Sequence, residues 1–152
     1  MSAMKDELRQ HLTASMKARD ELRSSTLRMV LTAITNAEVA GKQARELTDD
    51  DVTGVLASEA KKRREAATAF ESAGRDELAA KERAEAAILA EYLPEPMTPE
   101  EIRALVKTTV DELGVGDDGM RAMGRVMGVV TPLVRGRADG AAVSAEVRKL
   151  LA

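Results

Sequence analysis

Apolar residues recur at helical spacing through almost the whole chain, and no stretch alternates as a half-buried strand does. Leu8, Leu12 and Met16 share one face of a first helix, with Ser2 placed to cap it. Asp20 opens a second helix, whose buried side is Leu27, Val30, Leu31, Ile34 and Ala37 or Glu38 and which stops at Gly41. Thr48, followed by Asp49, Asp50 and Asp51, starts a third: a capping hydroxyl, then acids against the positive helix end. Its apolar face runs through Val52, Leu56, Ala67 and Phe70, and is broken by Glu59 and Arg63. Gly74 ends or bends this helix. A fourth runs from about Asp76 to Tyr92, with Leu78, Ile88, Leu89 and Tyr92 as its apolar members.

Leu93 to Pro99 interrupts the pattern. Three prolines at 94, 96 and 99 cannot continue a helix and disfavour helical geometry before each of them. Thr98, Pro99 and Glu101 then form a fresh helix start: cap, first-turn proline, acid at the third position. Ile102, Leu105, Val106, Thr109 and Leu113 mark the buried side of this fifth helix, and 114–119 is a glycine-rich loop. In the next helix Met120, Met123, Met127, Val130 and Val134 predict a buried stripe. Gly124 and Gly128 lie beside it, edged by Arg121, Arg125 and Arg135. A turn at 136–140 leads to a last helix holding Val143, Val147, Leu150 and Leu151, with Asp139 as its cap. The expected fold is all-α: an N-terminal bundle of about four helices over 1–93, a proline-rich linker at 94–99, and a three-helix domain over 100–152.

Composition narrows the chemistry. The 152 residues contain no cysteine and one histidine, which excludes disulfides, thiolate zinc and a histidine-rich metal site. No metal or cofactor is expected. Aromatics are limited to Phe70 and Tyr92, so the core must be aliphatic. No apolar run is long enough to span a membrane and no secretory signal opens the chain, so a soluble, cytoplasmic protein is expected. Net charge is −3, which argues against a general nucleic-acid coating protein and gives no reason to expect DNA as a partner. The charge is unevenly spread. Residues 119–152 hold six bases and two acids, whereas 95–118 hold seven acids and two bases. A basic end inside an acidic protein is what a local polyanion site requires.

A helix-interior glycine costs roughly 1 kcal/mol relative to alanine. Two of them, four residues apart, point to close approach by another helix or by a ligand with a phosphate backbone. For the second case the candidate contacts are Arg121, Gly124, Arg125, Gly128, Arg135, Gly136 and Arg137, with backbone N–H groups near Gly136 as further donors. The run Lys61 to Arg64 points in four directions round its helix, flanked by Glu59 and Glu65, and reads as a solvated face. Glu59 and Arg63 read as an ion pair at a helix interface; the functional alternative joins them to Arg28 and Glu38 in a polar cluster. His11 has no Ser or Cys partner that sequence can point to, and no nucleophile, phosphate loop or Ser-Ser-Lys constellation is present. No catalytic residue is assigned.

The segment Met123 to Gly128, then Pro132, Gly136 to Gly140 and Val143, resembles the C-terminal signature of the YqeY family. The Tyr92-Leu-Pro boundary and the helix bearing Arg28 and Glu38 also resemble its pattern. These small bacterial proteins are related to the tail of the B subunit of the aminoacyl-tRNA amidotransferase, where that domain helps hold tRNA during conversion of mischarged glutamate or aspartate to the amide. The resemblance implies a two-domain helical fold and suggests RNA contact, with tRNA or a tRNA-modifying or tRNA-charging enzyme as partner. It also implies a relationship to carbon–nitrogen ligases that use glutamine, but the catalytic body of that subunit has no counterpart here. The expected role is thus a tRNA-binding accessory protein without a catalytic centre. The alternatives are a protein-interaction module whose glycines serve helix packing, and an enzyme in its own right.

Overall fold

The computed structural model describes residues 2–152, and every described element is helical. Seven α-helices and one short 3-10 turn divide between two compact units, Met1–Leu93 and Pro94–Ala152.

The first unit holds four helices: α1 (Ala3–Lys17), α2 (Glu21–Val39), α3 (Asp49–Ser72) and α4 (Asp76–Ala90). Local chemistry sets most of their ends. The Ser2 hydroxyl accepts from the Lys5 N–H, the Asp20 carboxylate from Arg23, and Thr48 with Asp51 forms a reciprocal capping box. Gly74 terminates α3 outright, with left-handed backbone at φ 74°. The second helix ends at Val39, two residues before Gly41. The core gathers Leu8, Leu27, Val30, Ile34, Leu47, Val52, Leu56, Ala60 and Leu89. Along α1 the predicted stripe holds at Leu8 but drifts by Met16, which is 45% exposed. Ser15 is buried in its place, sharing a 2.8 Å hydrogen bond with Ser24 of α2. A paired hydroxyl satisfies a tight helix crossing that a methionine would overfill.

The second unit consists of α5 (Pro99–Leu113), a 3-10 turn at Gly119–Ala122, α6 (Met123–Val134) and α7 (Gly140–Leu151). Thr98 and Glu101 form its capping box, and Asp139 caps α7 by accepting from the Ala141 N–H. Its core is almost entirely valine: Val106, Val110, Val115, Val126, Val130, Val134, Val143 and Val147, closed by Ile102 and Leu151. Val115 is buried although it sits in the glycine-rich loop, where periodicity has nothing to say. Leu150, expected inside, is 41% exposed, because the α7 stripe steps from Val147 to Leu151.

The sixth helix corrects the expected register. Its buried stripe is Ala122, Val126, Val130 and Val134, at strict i, i+4 spacing. Met123 and Met127 pack on the edge of this stripe, and Met120 is 48% exposed. Short β-branched side chains fit the narrow centre between three helices, and the longer methionines are left to its border.

Candidate nucleic-acid interface

The register of α6 decides where the glycines go. At 100° per residue, Gly124 and Gly128 lie roughly 120° and 160° round from the middle of the valine stripe. They are therefore on the outward face and not beside the core. Both are exposed, and a Cβ placed on either would meet no other atom within 4 Å. Neither glycine serves helix packing within this chain. The stability they cost has no return inside the fold.

Pro132 adds a second property to the same face. It lies inside α6, exposed, and has no N–H to give. The carbonyl four residues earlier belongs to Gly128, so this carbonyl lacks its normal intrahelical donor. The strip thus presents a carbonyl that lacks its i+4 donor and carries no side chain on its own residue. A proline four residues after a glycine is the sequence signal for this, and the periodicity reading passed over it. Val129, 40% exposed, and Leu133, 59% exposed, add apolar surface on the other flank of the valine stripe, away from the glycines.

The predicted cations separate into two groups. Arg125 and Arg135 are exposed and carry no hydrogen bond or ion pair among the described residues. Arg121 is also exposed, with only its Nε spent on the Asp118 carbonyl at 3.3 Å. Arg137 is different. Its Nε donates to the Glu95 carbonyl at 2.8 Å, and its Nη2 approaches Glu101 at 3.3 Å. Its own carbonyl accepts from the Met97 N–H. Arg137 fastens the segment before α5 to the turn after α6. Gly136 supplies that turn's left-handed residue, at φ 78°. The N–H groups of Arg137 and Ala138 both donate to the Val134 carbonyl, so these two backbone donors beside Gly136 are already used.

Several polar groups of the first unit are occupied with one another. Arg28 and Glu38 do not join Glu59 and Arg63: Glu38 pairs with Lys5 at 2.7 Å and accepts from the Leu47 N–H, while Arg28 reaches the Met16 sulfur. The Lys5 ammonium and the Leu47 N–H hold the Glu38 carboxyl below its ordinary range. Glu59 pairs with Lys62, and Arg63 reaches across to Glu82 and Glu85 of α4. In the basic run 61–64, Lys61 lies near Glu65, so three of its four cations have carboxylate neighbours. A cleft of about 450 Å³ between α2 and α3 is lined by Asn36, Ser58 and two internal pairs, Arg45 with Asp51 and Glu59 with Lys62. His11 does have a partner: its Nδ1 lies 2.6 Å from the Tyr92 hydroxyl, with Glu7 3.8 Å from Nε2. Among the described residues no group of His, Asp and Glu is placed to hold a metal ion, and no helix is long and apolar enough to cross a membrane.

The family model for Yqey-like proteins matches residues 5–151, nearly the whole chain. The chain belongs to this family. An uncharacterized protein of Schizosaccharomyces pombe is 39% identical over 89 residues, which is 58% of this chain and 70% of that protein. A Pyrenophora tritici-repentis relative, named Altered inheritance of mitochondria protein 41, mitochondrial, is 29% identical over 147 residues, covering 95% of this chain and 78% of its own. The Saccharomyces cerevisiae protein of the same name is 34% identical over 110 residues, 70% of this chain and 58% of its own. These three relatives are fungal, two of them with a mitochondrial name. They give no support to the bacterial origin that the resemblance implies.

Proposed function

We propose that this chain is an RNA-binding accessory protein, with tRNA or a tRNA-handling enzyme as its partner and no catalytic centre of its own. The supporting observation is the outward glycine strip of α6. It combines a surface without side chains, a Gly128 carbonyl that lacks its i+4 donor, the guanidinium groups of Arg125 and Arg135, unpaired among the described residues, and Arg121, which holds the Asp118 carbonyl through Nε alone. Phosphates take the arginines. A ribose 2′-hydroxyl, which is a donor, suits the Gly128 carbonyl, and this contact distinguishes RNA from DNA. Gly136 and Arg137 belong to this proposal as the parts that position the strip, since Arg137 is engaged elsewhere.

The test is binding of total tRNA, followed by fluorescence anisotropy over a range of salt, beside a DNA hairpin of matched charge. Gly128→Leu is expected to abolish binding, because its side chain fills the approach while its Cβ enters open space. Arg125→Ala is expected to weaken binding and to reduce the salt slope by about 0.7 to 0.9. Circular dichroism checks that both variants fold. If the parent binds no RNA, or if both variants bind like the parent, the reading fails.

A second reading has its own support. Val129 and Leu133 are large apolar residues left exposed, as a protein-docking face requires. Under it Leu133→Ser abolishes capture of a partner enzyme and leaves RNA unaffected. For location, we infer the cytoplasm from the sequence. The mitochondrial names of two relatives set the competing outcome, which fractionation of the source cell decides.

A further inference from the structure

In the first unit the apolar seam between α3 and α4 is interrupted by charge. Beyond Ala60 the larger core residues give way to Ala67, Ala79 and Ala86, and among these sit Arg63 from α3 and Glu82 and Glu85 from α4. Arg63 Nε lies 3.6 Å from Glu82 Oε2, and its Nη1 lies 3.8 Å from Glu85 Oε2. Both distances exceed a hydrogen bond. Arg63 Nε and Glu82 Oε2 are buried and have no hydrogen-bond partner among the described residues. Glu85 is 8% exposed. One guanidinium therefore faces two carboxylates at a semi-buried helix crossing and satisfies neither.

We propose that this trio is a proton-operated latch: uptake of one proton by the Glu82–Glu85 pair tightens the α3–α4 hairpin, and its release loosens it. A protonated carboxyl removes the repulsion between the two acids and leaves Arg63 a single charged partner. The carboxyl also becomes a donor for its neighbour.

The surrounding charges favour Glu85 as the group that takes the proton. Burial, and then the charge of Glu82, push its carboxyl above the usual range; Lys81 and Arg63 pull the other way without cancelling them. On α3 the remaining nearby carboxylate, Glu59, is held by Lys62. On α2, Arg23 is engaged by Glu91 and lends Glu85 no hydrogen bond. The direction of the effect follows from the sign of the shift. A carboxyl with a raised value in the fold destabilises that fold when charged. The penalty is present in full above the raised value and lifts as pH falls through it. The hairpin is thus tighter near pH 5 than at pH 7.5. Glu38, Asp49 and Asp51 are shifted the opposite way by their partners and stay charged at pH 5.

Hydrogen exchange of the full chain, corrected for the intrinsic rate at each pH, tests this. Peptides from 61–86 are expected to gain roughly twofold to tenfold protection at pH 5 relative to pH 7.5, while peptides from α5 to α7 serve as the reference. Glu85→Gln is expected to be as well protected at pH 7.5 as the parent is at pH 5, and to lose the dependence. Arg63→Gln leaves the two acids facing each other and is expected to enlarge it; a variant folded at pH 5 but frayed over 61–86 at pH 7.5 gives the same support. Equal protection of the parent at both pH values overturns the latch, as does a dependence that survives in Glu85→Gln.

Discussion

Two regions place their charges in opposite ways: the helix crossings of the first unit and the outward face of α6. In the first, arginines and lysines turn toward carboxylates of other helices: Lys5 to Glu38, Arg23 to Glu91, Arg63 to Glu82 and Glu85. In the second, Arg125 and Arg135 face outward without partners among the described residues, on a helix whose inner side is valine. The comparison shows why counting basic residues misleads. The run Lys61 to Arg64 is the densest basic stretch in the chain, yet most of it is engaged internally. The sparser arginines of α6 are the available ones. What a cation can offer an outside ligand depends on what already holds it.

Substitutions in the two units sharpen this contrast. The largest effect is expected from Leu56→Ala, fully buried in the first core, which should cost about 2 to 5 kcal/mol in urea denaturation. Val130→Ala, the matching change in the second core, removes less side chain and should cost about half of that. Next comes a comparison of neighbouring arginines. Arg137→Ala loses the bonds to Glu95 and Glu101 and should cost about 1 to 2 kcal/mol. Arg135→Ala should stay within about 0.5 kcal/mol of the parent. Equal costs would break the division into engaged and available cations. The smallest effect has the opposite sign. Gly124→Ala should stabilise the protein by up to about 1 kcal/mol, since its Cβ enters open space and the backbone gains helical preference. A loss of stability there would show that the strip has an internal packing role after all.

Much of the fold was legible because its signals are local. Ser2, Asp20, Thr48, Thr98 and Asp139 each cap the helix that follows, through atoms three residues away or fewer. The register of α6 was not legible. Methionine and valine at adjacent helical positions are equally apolar, and only the width of the space between α5, α6 and α7 decides which goes inside. Val115 escaped for a related reason: a buried residue in a loop has no periodicity to reveal it. The Ser15–Ser24 bond, the reach of Arg63 to α4 and the pairing of His11 with Tyr92 all join residues from different helices. The glycines of the candidate interface were given the wrong neighbours, since a one-position error in the stripe moves them from the border of the core to the open face.

The contact between His11 and Tyr92 has a practical consequence for optical spectroscopy. The protein contains one tyrosine and no tryptophan, so its near-ultraviolet absorption and emission come almost entirely from a single ring. That ring lies just after α4, two residues before Pro94, with its hydroxyl 2.6 Å from an imidazole nitrogen. Light absorbed by the unlabelled chain therefore reports on one place, the last turn of the first unit. A change in Tyr92 emission marks the moment when this end of the bundle parts from α1, and unfolding confined to the second unit leaves no direct trace in it.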